Sequence, residues 1–167
     1  MPSGFFVEVR VSKIVRDFFI ASNGTNIVIL KKHDFISYSI RNLLCLVPKN
    51  YKRLNPRIDC YLKINLVYLN RIGIDVKYRN YLDEIGQEFI NKQLYLLFRE
   101  TFYSFVYACV LSGKEQKQAI NMFMTTYNLD CTQFNFDMLK KSWDRSKTKK
   151  IWKNSLTCVP QKKIIKN

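Results

Sequence analysis

The last 28 residues of the chain carry ten cations (Lys140, Lys141, Arg145, Lys147, Lys149, Lys150, Lys153, Lys162, Lys163 and Lys166) against one acid, Asp144. The chemistry open to such a block is charge neutralisation. Each cation that meets a phosphate releases a condensed counterion, whereas the block left alone repels itself. Residues 1–139 are more balanced, with 18 basic and 12 acidic side chains. Two further stretches interleave cations with rings: Tyr51-Lys52-Arg53 with Arg57, and Lys77-Tyr78-Arg79-Asn80-Tyr81. Alternating rings and cations suit the bases and phosphates of a strand. The plainer reading of either stretch alone is a loop kept soluble by charge, with tyrosines packed beneath it.

Bond-making chemistry has little to work with. His33 is the only histidine, beside Asp34 in a Lys-Lys-His-Asp run, and reads as a surface or helix-start residue. There is no Gly-rich phosphate loop, no GxSxG and no HExxH. Asp59, Asp75, Asp83 and Glu84 are the acids that a Mg²⁺-dependent nuclease would need, but Asp83-Glu84 is better explained as helix capping. The five cysteines stand at 45, 60, 109, 131 and 158, with no CxxC pair, so no local zinc-ligand set exists. The expectation is a binding protein, not an enzyme, with no metal and no cofactor.

The elements that must position the cations follow from periodicity. Val7, Val9 and Val11 alternate with polar residues, and Asn23-Gly24 is a strong hairpin signal before Ile27-Val28-Ile29-Leu30. These features predict a β-hairpin over residues 5–30. Asp34 caps a predicted helix over 34–47 with a stripe of Phe35, Tyr38 or Ser39, Leu43 and Leu46, stopped by Pro48. After a basic loop over 49–57, residues 58–69 alternate as a third strand, and Ile74–Lys77 reads as a short fourth.

A long helix is predicted over 81–111, capped by Asn80, with Asp83 at its third position. Its apolar stripe is Leu82, Ile85, Phe89, Leu94, Leu97, Phe98, Phe102, Phe105 and Cys109. A helix over about 114–127 buries Ala119, Ile120, Phe123, Met124 and Tyr127. Residues 128–133 break it, and a last helix over 136–147, capped by Asn135, buries Phe136, Leu139 and Trp143. Beyond 148 no apolar period remains. Trp143 reads as core, while Trp152 is as well suited to stacking on a base as to docking on the domain.

The fold class is therefore α+β. A small antiparallel N-terminal sheet packs on a long helix (residues 1–112), followed by a helix-turn-helix-like unit (113–147) and a basic tail (148–167). The connection is longer than that of the standard motif, and it lacks the small turn residue. The candidate nucleic-acid contacts are Lys140, Lys141, Arg145, Lys147, Lys149, Lys150, Lys153 and Trp152, with Lys52, Arg53 and Arg79 on the two basic-aromatic stretches.

This layout, with its terminal pair ending in Phe136-Asp137-Met138-Leu139-Lys140-Lys141-Ser142-Trp143-Asp144-Arg145, resembles small basic regulatory proteins of bacteriophages and bacterial mobile elements. The resemblance covers residues 114–150 and is one of layout, without a family signature. It implies a DNA-binding protein acting in transcription, replication or excision. The expected partner is nucleic acid, double-stranded DNA first. No signal peptide or membrane span is read from the sequence, so the expected setting is the cytoplasm of a bacterial or phage-infected cell. Two other classes fit the same charge: a phage assembly protein touching the genome or an acidic partner, and an RNA-binding module using the sheet and its aromatics.

Overall fold

The computed structural model describes residues 5–30, 34–50 and 60–148. It is a mixed α+β structure with two small sheets and six helices among these residues. The elements are β1 (Phe6–Arg10), α1 (Lys13–Asn23), β2 (Ile27–Ile29), α2 (Phe35–Leu43), β3 (Cys45–Leu46), β4 (Tyr61–Asn65), α3 (Val67–Arg71), β5 (Arg79–Tyr81), α4 (Glu84–Leu111), α5 (Gln116–Thr126) and α6 (Gln133–Thr148).

The predicted hairpin over 5–30 does not form. Residues 13–23 are helical, and β1 and β2 lie on opposite sides of β4. The sheet is mixed, not purely antiparallel: β1 runs antiparallel to β4, and β2 runs parallel to it. Val15, Phe18 and Phe19 supply the reason, because they share one helical face and all three are buried. Asn23-Gly24 then serves a helix end instead of a hairpin. Gly24 takes φ 69°, a left-handed conformation that a residue without a Cβ adopts at no steric cost. One local preference for positive φ suits both structures, and burial of the phenylalanines decides between them.

β1 is an edge strand, and α4 covers part of that edge. Gln87 donates its amide to the Glu8 carbonyl at 2.7 Å and accepts from the Arg10 backbone N–H at 3.2 Å. A single side chain thereby satisfies two edge groups that would otherwise face solvent or another strand.

Asp34 caps α2 as predicted, accepting from the Ile36 N–H at 3.1 Å. Of the predicted stripe, Leu43 packs against the core and Ser39, not Tyr38, is the buried alternative. Ile36, Ser37, Ser39 and Ile40 are buried, while Phe35, Tyr38 and Leu46 are exposed. The helix also stops earlier, at Leu43, and its continuation becomes β3. The predicted strand over 58–69 shortens to β4 and turns into α3. Ile74–Lys77 is a turn, and the strand that follows is β5, paired antiparallel with β3.

The long helix is present, capped by Asp83 and not Asn80. The Asp83 carboxylate accepts from the Gly86 N–H at 2.7 Å. Asn80 instead ties the preceding turn by donating to the Val76 carbonyl at 3.2 Å. Replacing Asp83 with Ala should lower stability by about 1 kcal/mol, as loss of a cap does. Urea unfolding of the two proteins checks this.

The buried stripe of α4 is Gly86, Ile90, Leu94, Phe98, Phe102 and Val106, a strict four-residue step. Each such step advances the face by about 40°, so the stripe winds around the helix. This explains why Ile85, Phe89 and Leu97, placed in the core by a straight stripe, are exposed. By length and composition α4 is apolar enough to cross a membrane. Its winding stripe is buried within the protein, but only 22% of its apolar window is, and Arg99 and Glu100 lie in the middle of its length.

An aromatic cluster joins the two halves of the fold. The Phe18 ring meets Phe98 at 5.3 Å and Phe123 at 6.2 Å, and Phe123 meets Phe102 at 5.0 Å and Tyr127 at 4.7 Å. Helices α1, α4 and α5 thus share a single core, to which Leu139 and Trp143 of α6 also belong.

Candidate nucleic-acid interface

The α5–α6 pair is built by local rules. Glu115 and Gln118 form a reciprocal capping box at the start of α5. At its end Asn128 takes φ 46°, the Asn128 N–H bonds the Thr125 carbonyl, and the Leu129 N–H bonds the Met124 carbonyl. This is a Schellman closure with asparagine in the left-handed position, and Leu129 is buried beneath it. Asn128 thus closes α5 in the left-handed position that glycine usually takes. Helix α6 begins at Gln133, earlier than predicted. Thr132, not Asn135, caps it, its hydroxyl accepting from the Asn135 N–H at 3.3 Å.

Leu139, Trp143 and Ser146 mark the inner face of α6. Trp143 packs against Tyr103 of α4 with ring centroids 6.2 Å apart, and the Tyr103 hydroxyl lies 2.8 Å from the Ser142 hydroxyl. Gln116 at the start of α5 donates to Asp144 at 3.0 Å. These contacts settle the rotation of α6. Lys140, Lys141 and Arg145 consequently lie on its exposed side, together with Phe134, which is 77% exposed.

That exposed side is not uniformly basic. Asp144 lies among the three cations, and the half-buried Asp137 accepts from Gln133 at 2.9 Å. Three cations and two carboxylates make a weaker field than the bare list of lysines implied. Lys147 belongs to α6 by its backbone. Lys149, Lys150, Trp152 and Lys153, like Lys52 and Arg53, lie outside the described residues, as does His33. Arg79 is exposed on β5, a separate element from α6. It lines a recess with Leu46, Gly73, Ile74, Asp75 and Tyr78.

Sequence reasoning missed Arg99. Its guanidinium lies 5.9 Å from the Tyr95 ring centroid and 5.3 Å from that of Tyr103, the residue that anchors Ser142 of α6. The signal was present as Tyr95, Arg99 and Tyr103 at four-residue spacing, which places them on neighbouring turns. A cation is thereby held beside the footing of α6.

Among the described residues no group of three or more His, Cys, Asp or Glu side chains is placed to hold a metal ion. The Cys60 thiol is shifted upward, chiefly by burial, so it resists ionising to the nucleophilic thiolate. The ammonium of Lys13 is held charged to higher pH by its hydrogen bond to Asp17, at 2.9 Å. No protein-family model, curated protein or solved structure matches the chain.

Proposed function

We propose that this protein binds nucleic acid, duplex DNA in the first place, by setting the exposed side of α6 and the cationic segment after it against the phosphate backbone. The role is binding, without catalysis. The observation that carries the reading is the placement of Lys140, Lys141 and Arg145 opposite the buried Leu139–Trp143–Ser146 face, leading into residues 149–167 with six lysines and no acid. Phosphate neutralisation supplies the affinity, and any base contact from α6 supplies the preference for sequence. The layout resemblance to phage and mobile-element proteins favours a regulatory role on DNA.

Exposed Phe134 and the carboxylates Asp137 and Asp144 favour a second reading. A phenyl ring among mixed charges suits a protein surface, as in an assembly protein meeting a protein partner of mixed charge.

The test is Lys140→Ala, Lys141→Ala and Arg145→Ala. Each is titrated at two salt concentrations against a random-sequence duplex and a duplex selected from a random pool. A phosphate contact weakens both duplexes alike and lowers the salt slope by about one. A base contact costs about 1–3 kcal/mol on the selected duplex only. Folding stability should change by under about 1 kcal/mol in each variant, because exposed charges contribute little. If all three bind like the parent, α6 does not face DNA and the assembly reading takes its place.

A further inference from the structure

The recess that holds Arg79 lies at the corner where β3 meets β5, on elements other than α6. It is built rigidly. Helix α3 closes with Gly73 at φ 86°, and the Ile74 N–H returns to the Leu69 carbonyl at 3.1 Å. A left-handed conformation of this kind favours glycine. The turn that follows is held by the Arg79 N–H on the Asp75 carbonyl at 3.0 Å and by the Asn80 amide on Val76. Val76 itself is fully buried and anchors the turn to the core. Pairing of Leu46 with Arg79 closes the other side.

The resulting recess is about 490 Å³ in volume, large enough for a base with its sugar. Its walls combine apolar Leu46 and Ile74, one ring (Tyr78), one carboxylate (Asp75) and one guanidinium (Arg79). Tyr78 is 57% exposed and Leu46 66% exposed, so the ring and the apolar wall are open to a ligand. The Lys77 ammonium lies 5.3 Å from the centre of the Tyr78 ring. Lys77 and Arg79 are both exposed, and Asp75 is the one acid among the described residues that line the recess.

We propose that this corner binds one unpaired nucleobase of a nucleic-acid strand. The base stacks on Tyr78 against Leu46 and Ile74. Asp75 accepts from its amino group, and Arg79 and Lys77 take the flanking phosphates. A flat apolar ring satisfies the wall, and the anion beside it satisfies the cations. A basic peptide side chain would fit Tyr78 and Asp75 but would be repelled by Lys77 and Arg79. A lone carboxylate is too few ligands for a metal ion. Stacking tolerates any base, because every base has a π-face. Asp75 adds selectivity for cytosine, adenine or guanine over thymine, whose single ring N–H lies between two carbonyls that repel a carboxylate.

The experiment uses the full chain and labelled oligo-dC and oligo-dT of about twelve nucleotides, alongside a duplex. Tyr78→Ala should weaken oligo-dC binding about tenfold, whereas Tyr78→Phe, which keeps the ring, should stay within about twofold. Duplex binding and the thermal midpoint should be unchanged in both, because the side chain is exposed. Asp75→Asn should reduce the preference for dC over dT. The inference is overturned if the parent binds no single strand, if Tyr78→Ala binds oligo-dC like the parent, or if Phe fails as badly as Ala. It is also overturned if duplex and single strand weaken equally in Tyr78→Ala. The α6 variants act on duplex binding, so loss of that reading leaves the Tyr78-dependent signal intact, and the reverse holds as well.

Discussion

Trp143→Ala should lower the free energy of unfolding by about 3–5 kcal/mol, the cost of emptying a large aromatic site. The indole is 3% exposed and packs against Tyr103, and its neighbours Leu139 and Ser146 are buried with it. Removal would empty the most deeply buried ring that the described part of α6 contributes to the shared core, Phe136 being only partly buried. The surrounding helices cannot close the gap cheaply, because Tyr103 is held by Ser142 and Phe102 by the Phe123 cluster. Denaturant unfolding measures the loss directly. A cost below about 1 kcal/mol would mean that α6 is not seated on Tyr103, and the placement of Lys140, Lys141 and Arg145 would fall with it. The contrast with those three cations, whose replacement should scarcely affect stability, separates the helix's inner role from its outer one.

Affinity for duplex DNA should fall by about 10³–10⁵ between roughly 50 and 200 mM salt if some six to ten phosphates are neutralised. The basis is the net charge of +15 and its concentration in the last 28 residues. A plot of log affinity against log salt gives the number of contacts from its slope. A chain ended at Thr148 should show a much shallower slope, since six lysines are gone. Its unfolding midpoint should hold, because Leu139, Trp143 and Ser146 all precede the cut. A flat response in the full chain would remove charge-driven binding as the function. A large fall in the midpoint of the shortened chain would show instead that a residue such as Trp152 or Ile164 packs onto the domain. The two carboxylates of α6 sharpen the expectation, because they leave that helix a net charge of +2 against +6 for residues 149–167.

Much of the helical half was legible in the sequence. Ala119, Ile120, Phe123 and Met124 of α5 and Leu139 and Trp143 of α6 are buried as their spacing predicts. The reason is that each helix meets the core along one short stripe, so periodicity and burial coincide. The same residues determined that Lys140, Lys141 and Arg145 would lie outward. The α+β class and the existence of the long helix were legible for similar reasons.

What the tertiary structure decided lies where one local pattern serves two structures. Asn23-Gly24 satisfies a hairpin turn and a helix end equally, and only the burial of Phe18 against Phe98 and Phe123 selects the helix. With the helix in place, β1 and β2 must pair with β4 from opposite sides, a long-range arrangement that no short window contains. In α2 both sides carry apolar residues, and the serine-bearing side is the one buried. The winding stripe on α4 has the same origin: the helix serves different neighbours along its length, so no single straight face is its core. The corner formed by Leu46, Asp75, Tyr78 and Arg79 joins residues more than 25 positions apart. Its residue types were visible as a basic-aromatic run, but its concavity comes from the β3–β5 pairing and the buried Val76, and so belongs to the fold alone.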